Sequence, residues 1–390
     1  MKYYLIAGEA SGDLHGSNLM KGLYAQDPGA DIRFWGGSLM DAVYREHQDG
    51  DGWVQDYRDG AVMGYLAVLL KGFSIWKKLR SCKEDIGSWK PDVVILIDYP
   101  GFNFKVAEYA HGAGFKVFYY IAPKIWASRE GRIRKLKAWV DRLYIIFPFE
   151  ETYFQDKGVS CTYRGNPLVD AVDASPAMQE TREAFLARTG LPDAPWIALL
   201  AGSRKMEIGS MMPTYMQWAD AWHQGHPETH FVVAAAPSRS LADYAPYLGE
   251  RPYVHVVFGE TYGVLRHAGA AVVNSGTASL EAALIGTPQV VTYRVDAVSG
   301  FIMRRLIKVP YVSLANLILD RAACRELLQE NFTVERLMAE MTRLQEDKTC
   351  REDMLEAYRE IRRRLGGSGA SAAVAAAMIQ DLTVSTRCTE

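Results

Sequence analysis

Short apolar runs alternate with longer amphipathic stretches along most of the chain. Several runs are apolar at nearly every position, which is typical of a strand buried on both faces. The strand candidates of the first series lie at 3–7, 32–36, 92–98, 115–121 and 142–147, and those of the second at 196–201, 230–236, 254–258, 270–274 and 289–293. Because helical periodicity fills the intervals, the pattern predicts βαβ units and parallel sheets covered by helices on both faces.

A segment rich in turn-forming and small residues, 165–176, separates the two series. We therefore predict an α/β fold of two Rossmann-like, doubly wound parallel-sheet domains facing a cleft, at 1–168 and 169–355. The chain beyond about residue 326 is mainly helical, and we expect helices within 356–390 to pack back on the N-terminal domain. The GGSG stretch at 366–369 follows no strand, which favours a helix–helix turn over a dinucleotide fingerprint.

Composition narrows the class of protein. The chain is 49% hydrophobic and 23% charged, with a formal net charge of −2, so no overall positive field attracts nucleic acid. Five scattered cysteines without a CxxC spacing fit a reduced, cytoplasmic protein without a disulfide framework or zinc site. No run approaches the roughly 20 apolar residues that span a bilayer, so we expect a protein that is soluble or lies on a membrane surface.

In the second half, the strand at 270–274 is followed by a turn, Ser275, Gly276 and Thr277, and then by a helix that we expect to start near Ala278. Free N–H groups at such a turn suit a phosphate. Glu281, one helical turn later, would accept hydrogen bonds from a ribose diol. The alternative is a hydroxyl-capped helix with a solvated glutamate.

The strand at 196–201 is followed in the same way by Gly202, Ser203, Arg204 and Lys205. Two cations at a helix start are unfavourable unless an anion lies there, which favours a phosphate contact by Arg204 over side chains that point into water. No Walker motif is present and no GxGxxG follows a strand, which argues against a P-loop ATPase and a nicotinamide enzyme.

In the first half, Asp98 ends the strand at 92–98, and Pro100, Gly101 and Asn103 follow it. A carboxylate at a strand's carboxyl end would remove a proton from an attacking hydroxyl group. A helix cap is the alternative, since aspartate is a favoured cap and proline is common in the first turn.

Two further stretches of the first half carry surface chemistry. Residues 60–79 place Leu69, Phe73 and Trp76 on a wide apolar face with lysines, which fits either a helix lying in a membrane interface or a core helix. Residues 124–137 are basic, and Arg129, Arg132 and Lys135 recur every three residues. This spacing predicts one helix face that binds lipid or sugar phosphates, or a solvated face.

Together these stretches resemble the lipid-A-disaccharide synthase family, bacterial glycosyltransferases of the GT-B type. The resemblance covers most of the chain and rests on seven motifs in order: GEASGD (8–13), AVMG (61–64), IDYPGFN (97–103), IAPKIWA (121–127), GSR (202–204), SGTASLE (275–281) and YVSLANL (311–317).

The resemblance implies a reaction. UDP-2,3-diacylglucosamine would donate its sugar to 2,3-diacylglucosamine 1-phosphate (lipid X), giving a β-1,6-linked disaccharide 1-phosphate and UDP with inversion at the anomeric carbon. It implies no cofactor, no metal, and peripheral association with the cytoplasmic face of the inner membrane. The sequence leaves the oligomeric state open, with a homodimer as one alternative.

The resemblance also implies roles for individual residues. Asp98 would be the base, with His15 as a rival. The donor would be held by Arg204, Ser203, Ser275, Gly276, Thr277, Glu281 and Asn316. The acceptor side would be formed by Glu9, Ser11, Gly12, Asp13, Asn103 and Trp126, with Glu9 and Asp13 serving sugar hydroxyls or bracing a loop at 8–16.

Two other functions share the sequence features. A UDP-sugar 2-epimerase has the same fold but needs further acids and bases around the sugar. A non-catalytic protein that binds nucleotide sugars or lipids would bind the same ligands without releasing UDP.

Overall fold

The computed structural model describes residues 1–57, 67–127, 129–295 and 310–387, apart from the side chains of 67–74 and 385–387. The chain forms two compact units. Unit 1 combines Met1–Pro167 with Gly367–Glu390, and unit 2 is Leu168–Gly366.

The helices alternate with the strands as the sequence pattern predicts. In chain order they are α1 Ala10–Gln26, α2 Ser38–His47, α3 Ala67–Trp89, α4 Pro100–Gly112, α5 Ile133–Trp139, α6 Pro148–Asp156, α7 Pro167–Asp173, α8 Arg182–Thr189, α9 Lys205–Gly225, α10 Leu241–Leu248, α11 Thr261–Arg266, α12 Thr277–Ile285, α13 Leu314–Leu319, α14 Val334–Glu346, α15 Lys348–Leu365 and α16 Ala370–Arg387.

Unit 1 is built on a parallel sheet of seven described strands. They are β1 Lys2–Ala7, β2 Asp31–Gly36, β3 Trp53–Asp56, β4 Val93–Ile97, β5 Lys116–Tyr120, β6 Arg142–Ile145 and β7 Thr162–Tyr163. Their order across the sheet is β3-β2-β1-β4-β5-β6-β7. The direction of winding therefore reverses between β1 and β4, and ligands of doubly wound sheets bind at the carboxyl ends beside such a reversal.

Unit 2 repeats this plan with a parallel sheet of six described strands. They are β8 Trp196–Leu200, β9 His230–Ala235, β10 Val254–Phe258, β11 Ala270–Asn274, β12 Gln289–Tyr293 and β13 Arg325–Leu328. Their order is β10-β9-β8-β11-β12-β13, so the winding reverses between β8 and β11.

Central strands are buried at all or nearly all of their positions, as their apolar runs predict. Every residue of β4, β8 and β11 is buried. In unit 1 the C-terminal helix α16 packs on α1, where Val374 and Met378 join the same apolar core as Leu19 and Leu23.

The predicted fold class, two parallel-sheet α/β units, is confirmed, and all ten predicted strands are present within one or two residues of their predicted ends. Three strands escaped the sequence pattern: β3, β7 and β13. They lie at sheet edges and are at best partly buried, so they lack the continuous apolar run of a central strand.

The C-terminal segment differs from the expectation for 356–390. Residues up to Gly366, including all of α15, belong to unit 2, and only the residues from Gly367 onward, with α16, belong to unit 1. The GGSG stretch is the turn between these two helices.

Candidate active site

Two turns of unit 2 lie side by side where the winding reverses. The turn of residues 202–204 follows β8, and the turn of residues 275–277 follows β11, the strand paired with β8. Gly202 has a φ of +104°, and a Cβ there would lie 2.8 Å from the Asn274 side-chain nitrogen. Only glycine permits this backbone and this approach, so Gly202 brings the two turns together.

The turn of residues 202–204 is closed by a carboxylate that the sequence pattern did not single out. Glu207 Oε2 accepts hydrogen bonds from the Ser203 and Arg204 backbone N–H groups at 2.9 and 3.1 Å. Its Oε1 pairs with Arg204 Nη1 at 2.9 Å, although 70% of the arginine side chain is exposed. The two N–H groups expected to face a phosphate therefore bind Glu207 in this structure.

The turn of residues 275–277 is tied to two neighbouring segments. The Ser275 N–H donates to Thr292 O at 2.8 Å, and Ser275 Oγ donates to Val312 O at 3.1 Å. Helix α12 starts at Thr277, one residue before the predicted start. A Cβ on Gly276 would meet nothing within 4 Å. Packing therefore does not explain this glycine, and the space beside it is open.

Glu281 lies one turn into α12 and has a partner that the sequence did not reveal. The Tyr262 hydroxyl donates to Glu281 Oε1 at 3.0 Å. Burial raises the pKa of the Glu281 carboxyl, and the Tyr262 hydrogen bond opposes that rise. The tyrosine orients the carboxylate that the sequence assigned to ribose.

Asn316 does not fit its predicted contact with the donor. It is 1% exposed, and its Nδ2 donates to Cys324 O and Glu326 Oε1 at 3.0 and 2.8 Å. Its Oδ1 accepts from the Ala323 and Cys324 N–H groups. These four bonds use the full capacity of the amide. Asn316 therefore braces the segment whose Val312 carbonyl holds Ser275.

In unit 1, the turn after β4 has a strained backbone. Asp98 and Tyr99 both have positive φ, +44° and +46°. The Asp98 carbonyl is held by the Tyr119 hydroxyl at 2.6 Å and by Asn103 Nδ2 at 2.8 Å. A strained backbone of this kind persists only where surrounding contacts hold it in place, and such positions are common at functional sites.

Asn103 thus has a different role from the one predicted. It is fully buried and bonds the turn that carries Asp98, so it positions that residue instead of forming part of an acceptor surface.

The carboxyl of Asp98 lies in a mixed electrostatic environment. Burial raises its pKa above the ordinary range, and the negative charge of Glu9 adds to that rise. The positive charge of Lys124 and the Tyr99 N–H lower it. A carboxylate with a raised pKa is a stronger base than an ordinary aspartate.

The predicted loop at 8–16 is mostly helical. Helix α1 begins at Ala10, so Ser11, Gly12, Asp13 and His15 lie in its first two turns. A Cβ on Gly16 would lie 2.6 Å from Met40 Sδ, so this glycine serves helix packing. Its small size lets α1 approach its neighbour α2.

Of the two acids in that stretch, Asp13 braces the fold. It is buried, and its carboxylate accepts from the backbone N–H groups of Gly37, Leu39 and Met40 at 2.7–3.1 Å. Glu9 is exposed at the start of α1 and acts electrostatically on Asp98. His15 is buried in the second turn of α1.

The segment after β5 is anchored by a buried carboxylate. Trp126 Nε1 donates to Glu150 Oε1 at 3.0 Å, and the Ile146 and Phe147 N–H groups donate to Oε2. Burial raises the pKa of Glu150 to about 7, although the three hydrogen bonds and Lys124 oppose the rise. Glu150 therefore orients Trp126.

A small cavity of about 50 Å³ adjoins the turn after β4. Tyr99 and Phe102 form one wall, and the ends of β1, β2 and β3 form another. Ile75 and Lys78 of α3 complete its lining. The cavity thus has a mixed apolar and polar lining and borders Tyr99, the residue after Asp98.

Nearly the whole chain matches a known family. Residues 3–378 match the family model described as lipid-A-disaccharide synthetase. The chain belongs to this family.

Curated relatives support the same assignment. The lipid-A-disaccharide synthase of Geobacter metallireducens is 37% identical, covering 97% of this chain and 96% of that protein. The synthase of Myxococcus xanthus is 38% identical, covering 96% of each. Among solved structures, a UDP-GlcNAc 2-epimerase from Neisseria meningitidis bound to UDP-GlcNAc superposes with a TM-score of 0.69 over 97% of this chain and 100% of that chain. At 12% identity this likeness shows the fold alone.

The structure describes only part of the membrane face that the sequence predicts at residues 60–79 of this lipid-A-disaccharide synthase family member. Residues 60–66 and the side chains of Leu69 and Phe73 lie outside the described residues. Trp76 on α3 is 55% exposed, and Ile75 is exposed beside it. Within the described ranges, no helix is long and apolar enough to cross a membrane.

The described residues of this family member also contain no group of three or more His, Cys, Asp or Glu side chains placed to hold a metal ion. The basic stretch at 124–137 is not one helix: Arg129 and Arg132 precede α5 in a short 3₁₀ turn, and Lys135 lies within α5.

Proposed function

We propose that this chain is the transferase that joins UDP-2,3-diacylglucosamine to 2,3-diacylglucosamine 1-phosphate, releasing UDP. Family membership makes it a glycosyltransferase of lipid A biosynthesis. The observation that carries the proposal is the Asp98 turn: a carboxylate with a raised pKa, on a strained backbone held by two hydrogen bonds, at the winding reversal of unit 1.

The chemistry requires one displacement. The acceptor 6-hydroxyl oxygen forms a bond to the anomeric carbon of the donor, the bond from that carbon to the UDP oxygen breaks, and the hydroxyl proton passes to Asp98. Proton removal by a positioned carboxylate contributes about 10²–10⁴-fold to such a step. One displacement inverts the anomeric configuration and needs no covalent intermediate.

Unit 2 would hold the donor. The turns at 202–204 and 275–277 would take the diphosphate, with Arg204, Ser203, Ser275 and Thr277 as polar groups and Gly276 allowing close approach. Arg204 would exchange its Glu207 partner for the diphosphate. Glu281, oriented by Tyr262, would accept hydrogen bonds from the ribose diol.

Unit 1 would hold the acceptor. The small cavity beside Tyr99 and Phe102 borders the Asp98 turn and would take a small part of that molecule. Both substrates carry acyl chains, so the enzyme would dock on the membrane surface through the exposed part of α3.

The test is incubation with both lipid sugars, with each omitted in turn. We expect UDP and a disaccharide 1-phosphate in equal amounts only when both are present. Conversion of UDP-N-acetylglucosamine alone would instead support a 2-epimerase, and unchanged ligands would support a binding protein. The epimerase alternative is not favoured, because the epimerase structure shares only the fold.

A further inference from the structure

Three cations, Lys124, Arg129 and Arg132, lie in the segment between β5 and α5. Lys124 and Arg129 are exposed, whereas Arg132 is half-buried. The nearest acid in the sequence, Glu130, pairs with Lys157 at 2.5 Å. This acid is therefore already engaged by another residue.

Two other half-buried arginines show the usual way in which such a charge is paired. Arg33 binds both oxygens of Asp85 at 2.9 and 2.7 Å, and Arg251 does the same with Asp220. In the part of the chain that the structure describes, the Arg132 guanidinium has no such hydrogen bond or ion pair. Burial and the like charge of Arg129 both lower the Arg132 pKa, so an anion here would relieve an unfavourable arrangement.

Arg132 also lies on the Asp98 side of the sheet. Its charge acts on the Tyr119 hydroxyl, and that hydroxyl donates to the Asp98 carbonyl at 2.6 Å. Lys124 acts on the Asp98 and Glu150 carboxyls. An anion bound by Arg132 and Arg129 would therefore lie near the proposed base.

We propose that Arg132, assisted by Arg129, binds the phosphate monoester of the acceptor and so selects a sugar 1-phosphate over the free sugar. The inference rests on the proposed transferase function and assigns a specificity-determining residue within it. A guanidinium presents paired N–H donors that match phosphate oxygens, and two adjacent arginines suit a dianion. The phosphate would hold the acceptor while its remote 6-hydroxyl reacts.

The test compares two acceptors: 2,3-diacylglucosamine 1-phosphate and the same lipid with a free 1-hydroxyl group. Both are dispersed in neutral detergent, and kcat/KM is measured for wild type, Arg132→Gln and Arg132→Lys. We expect wild type to prefer the phosphorylated acceptor and Arg132→Gln to lose roughly 10–100-fold of that preference, the range of a charge-assisted hydrogen bond. Arg132→Lys keeps the charge without the fork and should retain part of the preference.

Arg134→Gln is the matched control, because it removes the same charge from an exposed position two residues away. It should keep the wild-type preference. Equal losses on both acceptors in Arg132→Gln, or a wild type without preference, would overturn the inference while leaving the transferase function intact. If wild type forms no disaccharide from either acceptor, the transferase function itself fails.

A second arm separates the acceptor phosphate from lipid headgroups, which offer the same anion. Sedimentation with vesicles containing anionic phospholipid should be equal for Arg132→Gln and wild type. Loss of vesicle binding with an unchanged acceptor preference would assign Arg132 to headgroups and overturn the proposal.

Discussion

The Asp98 carboxyl lies between two opposite charges, and this arrangement makes its ionisation adjustable. Lys124 lowers its pKa and Glu9 raises it. If Asp98 is the base, the acid limb of kcat/KM reports its pKa. We expect Lys124→Met to move that limb to higher pH, because the carboxylate loses a stabilising cation, and Glu9→Gln to move it to lower pH.

His15→Ala is the control for this pair of shifts. An acid limb of the kcat/KM profile that disappears in His15→Ala and stays unmoved in Lys124→Met and Glu9→Gln would assign the role of base to His15.

Arg204 pairs with Glu207 at the start of α9, so in the proposed site Glu207 and the diphosphate would compete for the arginine. Arg204→Ala should weaken UDP binding by roughly 10–100-fold, since a charge-assisted contact to the diphosphate is lost. Glu207→Gln should tighten UDP binding by releasing Arg204, and should lower the melting temperature slightly because the cap on the turn weakens. Titration calorimetry with UDP measures the affinity of each variant. Equal weakening in the two variants would mean that the diphosphate needs the turn as Glu207 shapes it.

Single residues were predictable from the sequence where they follow a strand directly. Asp98 and Arg204 belong to this group, because a buried apolar run marks the strand end. Their partners Tyr119 and Glu207, and the partner Tyr262 of Glu281, were missed. Tyr119 and Tyr262 are brought to their partners only by folding, across 21 and 19 residues. Asn316 was assigned to the ligand because a sequence motif does not reveal that all hydrogen-bonding positions of its side-chain amide are already occupied within the protein.

At the scale of elements, α3 presents an exposed aromatic side chain, Trp76. Trp76 is 55% exposed, whereas Leu79 on the same helix is buried. Indole groups favour the membrane interface. We expect Trp76→Ser to reduce sedimentation with anionic vesicles while changing stability by no more than about 0.5 kcal/mol, as is usual for surface positions.

Leu79→Ser is the matched change at a core position and should lower the melting temperature. If Trp76→Ser lowers the melting temperature as much and the folded fraction still binds vesicles, the indole belongs to the core and the docking surface lies elsewhere.

Elements were predictable when both faces of a strand are buried. Nine of the ten predicted strands lie inside their sheets. The tenth, β10, lies at an edge and is only partly buried, but its sequence is still a mostly apolar run, which β3, β7 and β13 lack. The start of α1 was also misplaced, since glycines at 12 and 16 suggest a loop but serve close packing. Only the neighbouring helix explains them, and the sequence does not show that neighbour.

At the scale of the whole molecule, the chain leaves unit 1 at Pro167 and returns to it at Gly367. Gly22 of α1 marks the return, since a Cβ there would lie 2.9 Å from Ala375 Cβ and 3.1 Å from the Ala372 Cα. Gly22→Ala should therefore destabilise unit 1 by about 1–3 kcal/mol, the usual cost of overpacking. Gly112→Ala, also helical but with nothing within 4 Å, should be neutral or slightly stabilising in the same denaturant titration. Equal effects would mean that α16 does not pack on α1 in solution.

The measurement that tests the account most directly uses one variant, Asp98→Asn, and two readings on the same sample. Its UDP affinity tests the proposed donor site of unit 2, and its rate of disaccharide formation from both lipid sugars tests the proposed base in unit 1. We predict a UDP affinity within twofold of wild type, and a rate lower by about 10²–10⁴-fold. A near-normal rate of disaccharide formation would contradict the assignment of Asp98 as the base.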